Sequence, residues 1–149
     1  ASREAEGSRL RQFLLERLAC IEESVGRLAQ RAPERLLEHR DRLRANLTEL
    51  TDGIQLDDQR MLVEIGLLAE RWDVGEELDR FRAHFAAFRE TLNQGAPEGV
   101  GKRLGFLLQE MLREANTTGS KANDAAMTRE VLAIKEELER IREQVENLE

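Results

Sequence analysis

Apolar residues recur at alternating spacings of three and four along most of the chain, which is the spacing that keeps side chains on one face of an α-helix. The first stripe predicts a long helix over residues 2–31 and has the spacing of a coiled-coil seam. Its members are Leu10, Leu14, Leu18, Ile21, Val25, Leu28 and Ala32. Pro33 follows, at a point where a helix kinks or restarts, and the pattern resumes over residues 34–50. Residues 1–52 are therefore predicted to form a long helical arm, kinked near Pro33, that needs a partner helix or a partner subunit to cover it.

The rest of the chain, residues 53–149, is predicted to form a helical bundle. Three helices are expected over residues 57–72, residues 74–92 and the segment around Leu104–Leu112, with a loop over residues 93–101. On the helix over residues 74–92, the apolar stripe is predicted to lie in the core and not to form a platform on which bases stack. This stripe consists of Leu78, Phe81, Phe85 and Phe88. A last helix, starting at or soon after Asp124, carries the clearest coiled-coil seam. This seam consists of Val131, Ile134, Leu138, Ile141, Val145 and Leu148. The predicted fold class is all-α: a long N-terminal helical arm, a compact bundle and a long C-terminal coiled-coil-like helix.

The net charge and the single cysteine reduce the number of functions that the chain can have. The net charge of −7 argues against unselective nucleic-acid binding, which relies on a cationic surface, and suits a site that gathers divalent cations. Cys20 is the only cysteine, so no disulfide framework or cysteine zinc cluster can form within one chain, and a reducing, cytoplasmic setting is expected. No apolar run approaches the ~20 residues that span a bilayer, so no membrane partner is expected.

The stretch EANTTGSKAND, residues 114–124, interrupts the apolar pattern with small and polar residues. Gly119 permits a sharp turn, and backbone N–H groups around it, together with the N-terminus of the last helix, can face an anion. Lys121 adds a compact positive charge suited to phosphate. Asn116 and Asn123 can orient a water molecule or a ribose hydroxyl. The alternative interpretation is an ordinary capped helix–loop–helix junction.

Two sets of ionisable residues are candidates for chemistry. Glu110 and Glu114 lie four residues apart and project from one helical face, where they can hold Mg²⁺ or Mn²⁺. On spacing alone, a solvated acidic face is the stronger interpretation. Glu77, Arg80 and His84 also share one helical face and can bind phosphate or assist proton transfer. Their alternative is a surface ladder of ion pairs.

Three segments of the chain together resemble a known family. GKRLGFLLQEMLREANTTGSKANDAAMTREVLAIKEELERIREQVENLE, residues 101–149, is similar to the C-terminal signature of the bacterial YicC/YloC family. LLAERWDVGEELDRFRAHFAAFRETL, residues 67–92, resembles the block that precedes it there. The opening SREAEGSRL resembles the arm at which that family's C-terminal half begins. The resemblance covers essentially the whole chain, and it implies that the family's N-terminal domain is absent from this chain.

The resemblance also implies a function. It implies a cytoplasmic homo-oligomer, a hexamer at full length, that acts as a metal-dependent endoribonuclease on single-stranded RNA with a role in small-RNA turnover. The positions that match the family's motifs are Glu77, Leu78, Arg80, His84, Glu110, Arg113, Glu114, Asn116, Thr117, Ser120, Lys121, Asn123 and Asp124. Two positions depart from the family pattern: Gly105 stands where the family usually has Asp, and Leu112 stands where it usually has Asn. If that Asp or Asn binds metal or RNA, the activity of this chain would be impaired or altered.

Metal-assisted phosphodiester cleavage fits both the residues and the resemblance. The predicted catalytic residues are Glu114, Lys121 and His84. The predicted RNA-binding residues are Arg80, Arg113, Asn116, Thr117, Ser120, Lys121 and Asn123. The predicted ligands of a divalent cation, Mg²⁺ or Mn²⁺, are Glu110, Glu114, Asp124 and Glu77. The alternative function is a non-catalytic helical module that oligomerises and binds RNA, or an adaptor that presents RNA to partner ribonucleases of RNA decay.

Overall fold

The computed structural model of the chain describes residues 2–51, 57–94 and 99–148. Within these ranges it contains five α-helices, one short 3-10 helix and no strand, which confirms the all-α prediction. The α-helices are α1 (Ser2–Thr51), α2 (Asp58–Trp72), α3 (Gly75–Asn93), α4 (Val100–Ala122) and α5 (Ala125–Val145), and the 3-10 helix is Glu146–Leu148. At the edges of the loop predicted over residues 93–101, residues 93, 100 and 101 are helical, and residues 95–98 of that loop lie outside the described residues. No helix in the described part of the chain is long and apolar enough to cross a bilayer.

The first part of α1 packs antiparallel against α5. Three ion pairs mark the direction, because residue numbers rise on one side of the pairs and fall on the other. The pairs are Arg17–Glu137 at 3.2 Å, Arg27–Glu130 at 2.7 Å and Arg31–Asp124 at 2.9 Å. The two predicted seams meet between these helices and are buried over Leu14–Leu28 and Val131–Val145. The partner helix predicted for the first part of the arm is therefore α5 over these residues.

Helices α3 and α4 complete the bundle around the same core. The aromatic stripe of α3 lies inside it: Phe81 and Phe88 are fully buried, and Phe85 is 4 % exposed. From α4 the core receives Leu104, Leu107, Leu108, Met111, Ala115 and Ala122. The prediction that the α3 phenylalanines belong to the core is confirmed.

Helix α1 continues through Pro33, so the predicted restart of the helix there is wrong. Proline removes one backbone hydrogen bond of a helix, but burial on both sides of Pro33 offsets that loss. Leu28 is fully buried and Arg35 is 4 % exposed, and both must stay in phase with the bundle. On the solvent side, Arg31 bridges the proline by pairing with Glu38 at 2.6 Å. The kink at Pro33 stays a prediction.

Helix α4 likewise continues to Ala122, so the turn or loop predicted around Gly119 is wrong for residues 115–122. The reason is that buried positions continue at helical spacing. They are Met111, Ala115, Thr118 and Ala122. Gly119 serves close packing and not a turn, since a Cβ placed on it would lie 3.3 Å from Val131 Cγ1 of α5.

The interruption between α4 and α5 is confined to Asn123 and Asp124. Asn123 ends α4 in the left-handed conformation, with φ of 43°. Asparagine tolerates this conformation better than most residues. Asp124 begins α5 by accepting a hydrogen bond from the Met127 N–H at 3.0 Å, as an N-cap does. The predicted start of the last helix is confirmed.

Beyond Arg35, helix α1 no longer packs into the core of the bundle. No described side chain of α1 after Arg35 is buried, and α2 buries only Met61 and Trp72. Large apolar side chains are exposed on this pair of helices instead. They are Leu37, Leu50, Leu62, Val63 and Leu67. The second part of α1 and α2 therefore form a projecting helical pair outside the core of the bundle.

Candidate functional site

Helices α3 and α4 run antiparallel, with their polar residues in a defined register. Lys121 Nζ lies 2.7 Å from Glu77 Oε1, and Arg80 Nη1 lies 3.7 Å from Glu114 Oε2. At the other end of the interface, Arg103 Nε donates to Thr91 Oγ1 at 2.9 Å. These three contacts fix which turn of α3 faces which turn of α4.

We call Glu77, Arg80, Glu114 and Lys121 the α3–α4 charge cluster. Its two carboxylate side chains are each only 3 % exposed, whereas the side chains of Lys121 and Arg80 are 31 % and 51 % exposed. A buried carboxylate is costly unless a cation or hydrogen bonds compensate it. Here the cations reach in from the surface, so both remain accessible to a ligand from solvent.

The charge cluster contains polar atoms that the protein leaves unpaired. Glu77 Oε2 and Thr118 Oγ1 are buried and have no hydrogen-bond partner among the described residues. Thr118 lies one turn after Glu114 on α4 and three residues before Lys121. Such buried, unpaired atoms are rare in folded proteins. Because both belong to the interface between α3 and α4, they make the charge cluster the strongest candidate for a ligand site.

His84 and Glu110 extend the charge cluster by one turn. His84 is half-buried and follows Arg80 on the same face of α3, while Glu110 is half-buried and precedes Glu114 on α4. The register of the two helices places His84 level with the turn that carries Glu110. The structure thus brings the two predicted sets of ionisable residues, one on each helix, to a single interface.

Asp124, another predicted metal ligand, belongs to a different contact. Its carboxylate accepts hydrogen bonds from the Arg31 guanidinium, at 2.9 Å and 3.1 Å, and from the Met127 N–H. The Arg31 hydrogen bonds hold the pKa of Asp124 below its usual value. Asp124 therefore joins the α4–α5 junction to α1, and the structure gives it no contact with the charge cluster among the described residues.

The carboxylates of the charge cluster can supply only part of a metal site. Across the described ranges, no three carboxylate, histidine or cysteine side chains come close enough together to hold a metal ion. Mg²⁺, however, is commonly held by one or two carboxylates together with substrate phosphates and water. Glu77 has an unpaired oxygen, Oε2, and Glu114 is the second buried carboxylate of the charge cluster. The residues present fit a cation that binds together with a phosphate substrate.

The other predicted RNA-binding residues lie on the neighbouring, solvent-facing side of α4. Arg113 and Asn116 are exposed and line a shallow depression of about 360 Å³ together with half-buried Thr117. Ser120 is exposed, and its hydroxyl donates to the Thr117 carbonyl at 2.8 Å. Asn123 is exposed at the end of the helix. The predicted contacts to RNA are therefore adjacent to the charge cluster on the same helix.

The two positions that depart from the family pattern have different surroundings. Nothing lies within 4 Å of a Cβ added at Gly105, so the aspartate usual at that position would fit without displacing a neighbour. Leu112 is partly buried and packs against the core.

Arg35 is the main residue that the sequence interpretation missed. Its Nη1 donates to the Lys121 carbonyl at 2.8 Å and to the Ala122 carbonyl, and its Nη2 donates to the Trp72 carbonyl. Its Cζ also lies 5.3 Å from the centre of the Trp72 ring. Burial lowers the pKa of this guanidinium. Arg35 thereby holds the C-termini of α2 and α4, where carbonyls lack helical partners, against the middle of α1.

Comparisons with known proteins agree on one family. The family model described as endoribonuclease YicC-like, C-terminal, matches residues 28–149. The chain is 37 % identical over 150 residues to the probable endoribonuclease YicC of Haemophilus influenzae, an alignment that covers 100 % of this chain and 50 % of the relative. It is 31 % identical over 148 residues to the probable endoribonuclease YicC of Clostridioides difficile, covering 99 % of this chain and 50 % of the relative. The chain therefore spans about half the length of these curated relatives.

Proposed function

The chain belongs to the YicC-like C-terminal endoribonuclease family, and from this premise we propose that it carries part or all of a site that cleaves single-stranded RNA internally. The observation that carries the proposal is the α3–α4 charge cluster, in which buried carboxylates lie beside solvent-accessible cations. The names of the two relatives support the same reaction. As an extension of the proposal, the RNA cleaved is small RNA undergoing turnover in the cytoplasm.

We propose that the substrate enters the charge cluster through its phosphate. The Lys121 ammonium and the Arg80 guanidinium are the partners of buried carboxylates and are partly exposed. A phosphodiester that contacts these two cations would leave Glu77 and Glu114 free to hold a divalent cation. When bound, the cation supplies Lewis-acid activation of water and neutralises developing negative charge.

The remaining residues have proposed roles in orientation and proton transfer. His84, level with Glu110 across the interface, accepts the proton of the attacking water as the new phosphorus–oxygen bond forms. The bond to the ribose oxygen breaks in the same step, and that oxygen takes its proton from solvent water. The reacting phosphate would lie beside the partly exposed side chains of Arg80 and Lys121. Lys121 stabilises the charge that develops on that phosphate.

A second candidate function is a non-catalytic RNA-binding module or an adaptor for other ribonucleases. One observation favours it: Glu77 already has a cationic partner at 2.7 Å in Lys121, so the cluster is electrostatically compensated without any ligand. For either function we propose homo-oligomerisation through the projecting helical pair. The exposed Leu62 and Val63 on α2, at 71 % and 61 % exposure, support that proposal because exposed apolar patches commonly mark interaction sites.

Cleavage of a labelled single-stranded RNA by the purified chain tests the proposed function. With Mn²⁺ present we expect internal cuts in the single-stranded RNA and none in a duplex of the same sequence. EDTA should abolish the cuts if Glu77 and Glu114 act with a cation. RNA binding without cleavage would favour the module, and neither binding nor cleavage would contradict both candidate functions.

A further inference from the structure

Phe106 differs from the other phenylalanines of the bundle in its exposure. Its side chain on α4 is 63 % exposed, whereas Phe81, Phe85 and Phe88 on α3 are 4 % exposed or less. A large aromatic ring on the solvent side of a helix gains nothing from the core. The exposed ring of Phe106 is therefore available to contact another molecule.

Phe106 belongs to a continuous row of exposed residues on α4, which we call the α4 strip. Successive members are four, three, four, three and four residues apart, so they share one face of the helix. The α4 strip consists of Lys102, Phe106, Gln109, Arg113, Asn116 and Ser120. It extends about 27 Å at 1.5 Å per residue. Apart from the ring of Phe106, every side chain in it is polar or basic.

The charge of the α4 strip is opposite to that of the chain as a whole. The chain carries a net charge of −7, yet Lys102 and Arg113 stand on the α4 strip and no ion-pair partner is found for either among the described residues. Arg103 lies beside them and is held by its hydrogen bond to Thr91. Half-buried Glu110 lies next to the α4 strip on α4. Exposed Glu146 lines a depression together with Gln109, but it pairs with Arg142. The α4 strip is thus a locally basic surface on an acidic protein.

We propose that the α4 strip is the track that binds single-stranded RNA, with Phe106 stacking on a base and Lys102 and Arg113 contacting phosphates on either side of it. This inference rests on the proposed function and specifies where its substrate lies. Exposed aromatic rings within basic grooves bind single strands because every unpaired base offers a face for stacking. In a duplex the bases already stack on one another, so the ring selects single-stranded RNA.

The position of the α4 strip fits delivery of RNA to the charge cluster. Arg113 immediately precedes Glu114, and Lys121 immediately follows Ser120, so the last turns of α4 carry α4-strip residues on one side and charge-cluster residues on the other. A strand that follows the α4 strip would bring a phosphate beside Lys121. A partner helix is a poorer fit to the same surface, because helix packing requires an apolar stripe and the α4 strip offers one apolar side chain.

The test measures RNA binding by fluorescence anisotropy with a labelled oligouridylate and with a labelled RNA duplex. We expect Phe106→Ala to weaken oligouridylate binding at least about fivefold and Phe106→Trp to retain or strengthen it. The matched control is Leu132→Ala on α5, whose side chain is 53 % exposed and lies outside the α4 strip, and this variant should bind as the wild type does. Arg113→Met should weaken binding and reduce its dependence on salt.

The outcomes separate this inference from the proposed function. If the wild type cleaves or binds single-stranded RNA and Phe106→Ala binds it equally well, the α4 strip is not the track and the proposed function stands. An equal loss in Leu132→Ala, or a loss in Phe106→Ala that appears only as a change in self-association, would also overturn the inference. If the wild type neither binds nor cleaves RNA, the proposed function fails and the inference fails with it.

Discussion

Replacing Lys121 with methionine is expected to slow the cleavage of single-stranded RNA by on the order of 100-fold to 1,000-fold, the usual cost of removing a group that stabilises transition-state charge. The ammonium contacts Glu77 Oε1 at 2.7 Å and the Asp73 carbonyl at 3.1 Å, so it is held in place before the substrate arrives. Single-turnover cleavage of a labelled RNA measures the effect. The matched control is Lys135→Met, a half-buried lysine of α5 outside the site, which should cleave at the wild-type rate.

A loss of activity in Lys121→Met could also come from unfolding, because the change leaves the Glu77 carboxylate buried and unpaired. The double variant Glu77→Gln with Lys121→Met, compared with Glu77→Gln alone, separates the two effects. It removes both charges, so its thermal stability should recover towards that of the wild type, while its cleavage should stay low. Recovery of cleavage together with stability would mean that Lys121 acts only in folding and would contradict its proposed catalytic role.

Replacing Arg35 with methionine should lower the free energy of unfolding by about 3–5 kcal/mol, because it leaves buried helix-end carbonyls without donors. These are the carbonyls of Trp72, Lys121 and Ala122. Urea unfolding followed by circular dichroism measures the change. The control Arg40→Met alters a half-exposed arginine of the same helix that pairs only with its neighbour Asp41 in the described part of the chain. This change should cost well under about 1 kcal/mol. Equal midpoints for the two variants would contradict the role given to Arg35.

The bundle could be predicted from the sequence because burial of apolar surface follows the helical period. The seams of α1 and α5 are long and regular, and each residue from Leu14 to Leu28 and from Val131 to Val145 that keeps the period is buried. The same rule explains where the prediction was wrong. A sharp turn is predicted at Gly119, and a restart of the helix is one of two alternatives at Pro33, but such local preferences are small beside the burial of the residues around them.

Arg35 could have been recognised from its place in the seam of α1, although it is charged. It lies seven residues after Leu28, at a position that the seam of α1 reaches in regular steps from Leu14 through Ile21. A charged residue at a seam position is unusual, and it could have been recognised as a buried residue with a specific partner. Which carbonyls it binds depends on where α2 and α4 end, and that is a property of the packed bundle.

The sequence predicted the two helical faces of the candidate site, but it did not predict that these faces meet. Spacing placed Glu77, Arg80 and His84 on one face of a helix and Glu110 with Glu114 on one face of another. That these faces meet depends on the register of α3 against α4, which no local pattern encodes. Asp124 was predicted to bind metal because of its motif position, but the structure employs its carboxylate as the N-cap of α5 and as the partner of Arg31.

The most direct test of the role of the charge cluster in RNA cleavage is the single-turnover rate of Glu114→Gln beside the wild type, with Mn²⁺ and a labelled single-stranded RNA. The substitution keeps the shape of a side chain that is 3 % exposed and removes its charge. We predict a loss of roughly 100-fold or more, with helicity and RNA binding retained and with full activity in Glu143→Gln, an exposed control on α5. Cleavage by a folded Glu114→Gln chain at the wild-type rate would contradict the assignment of the reaction to the α3–α4 charge cluster.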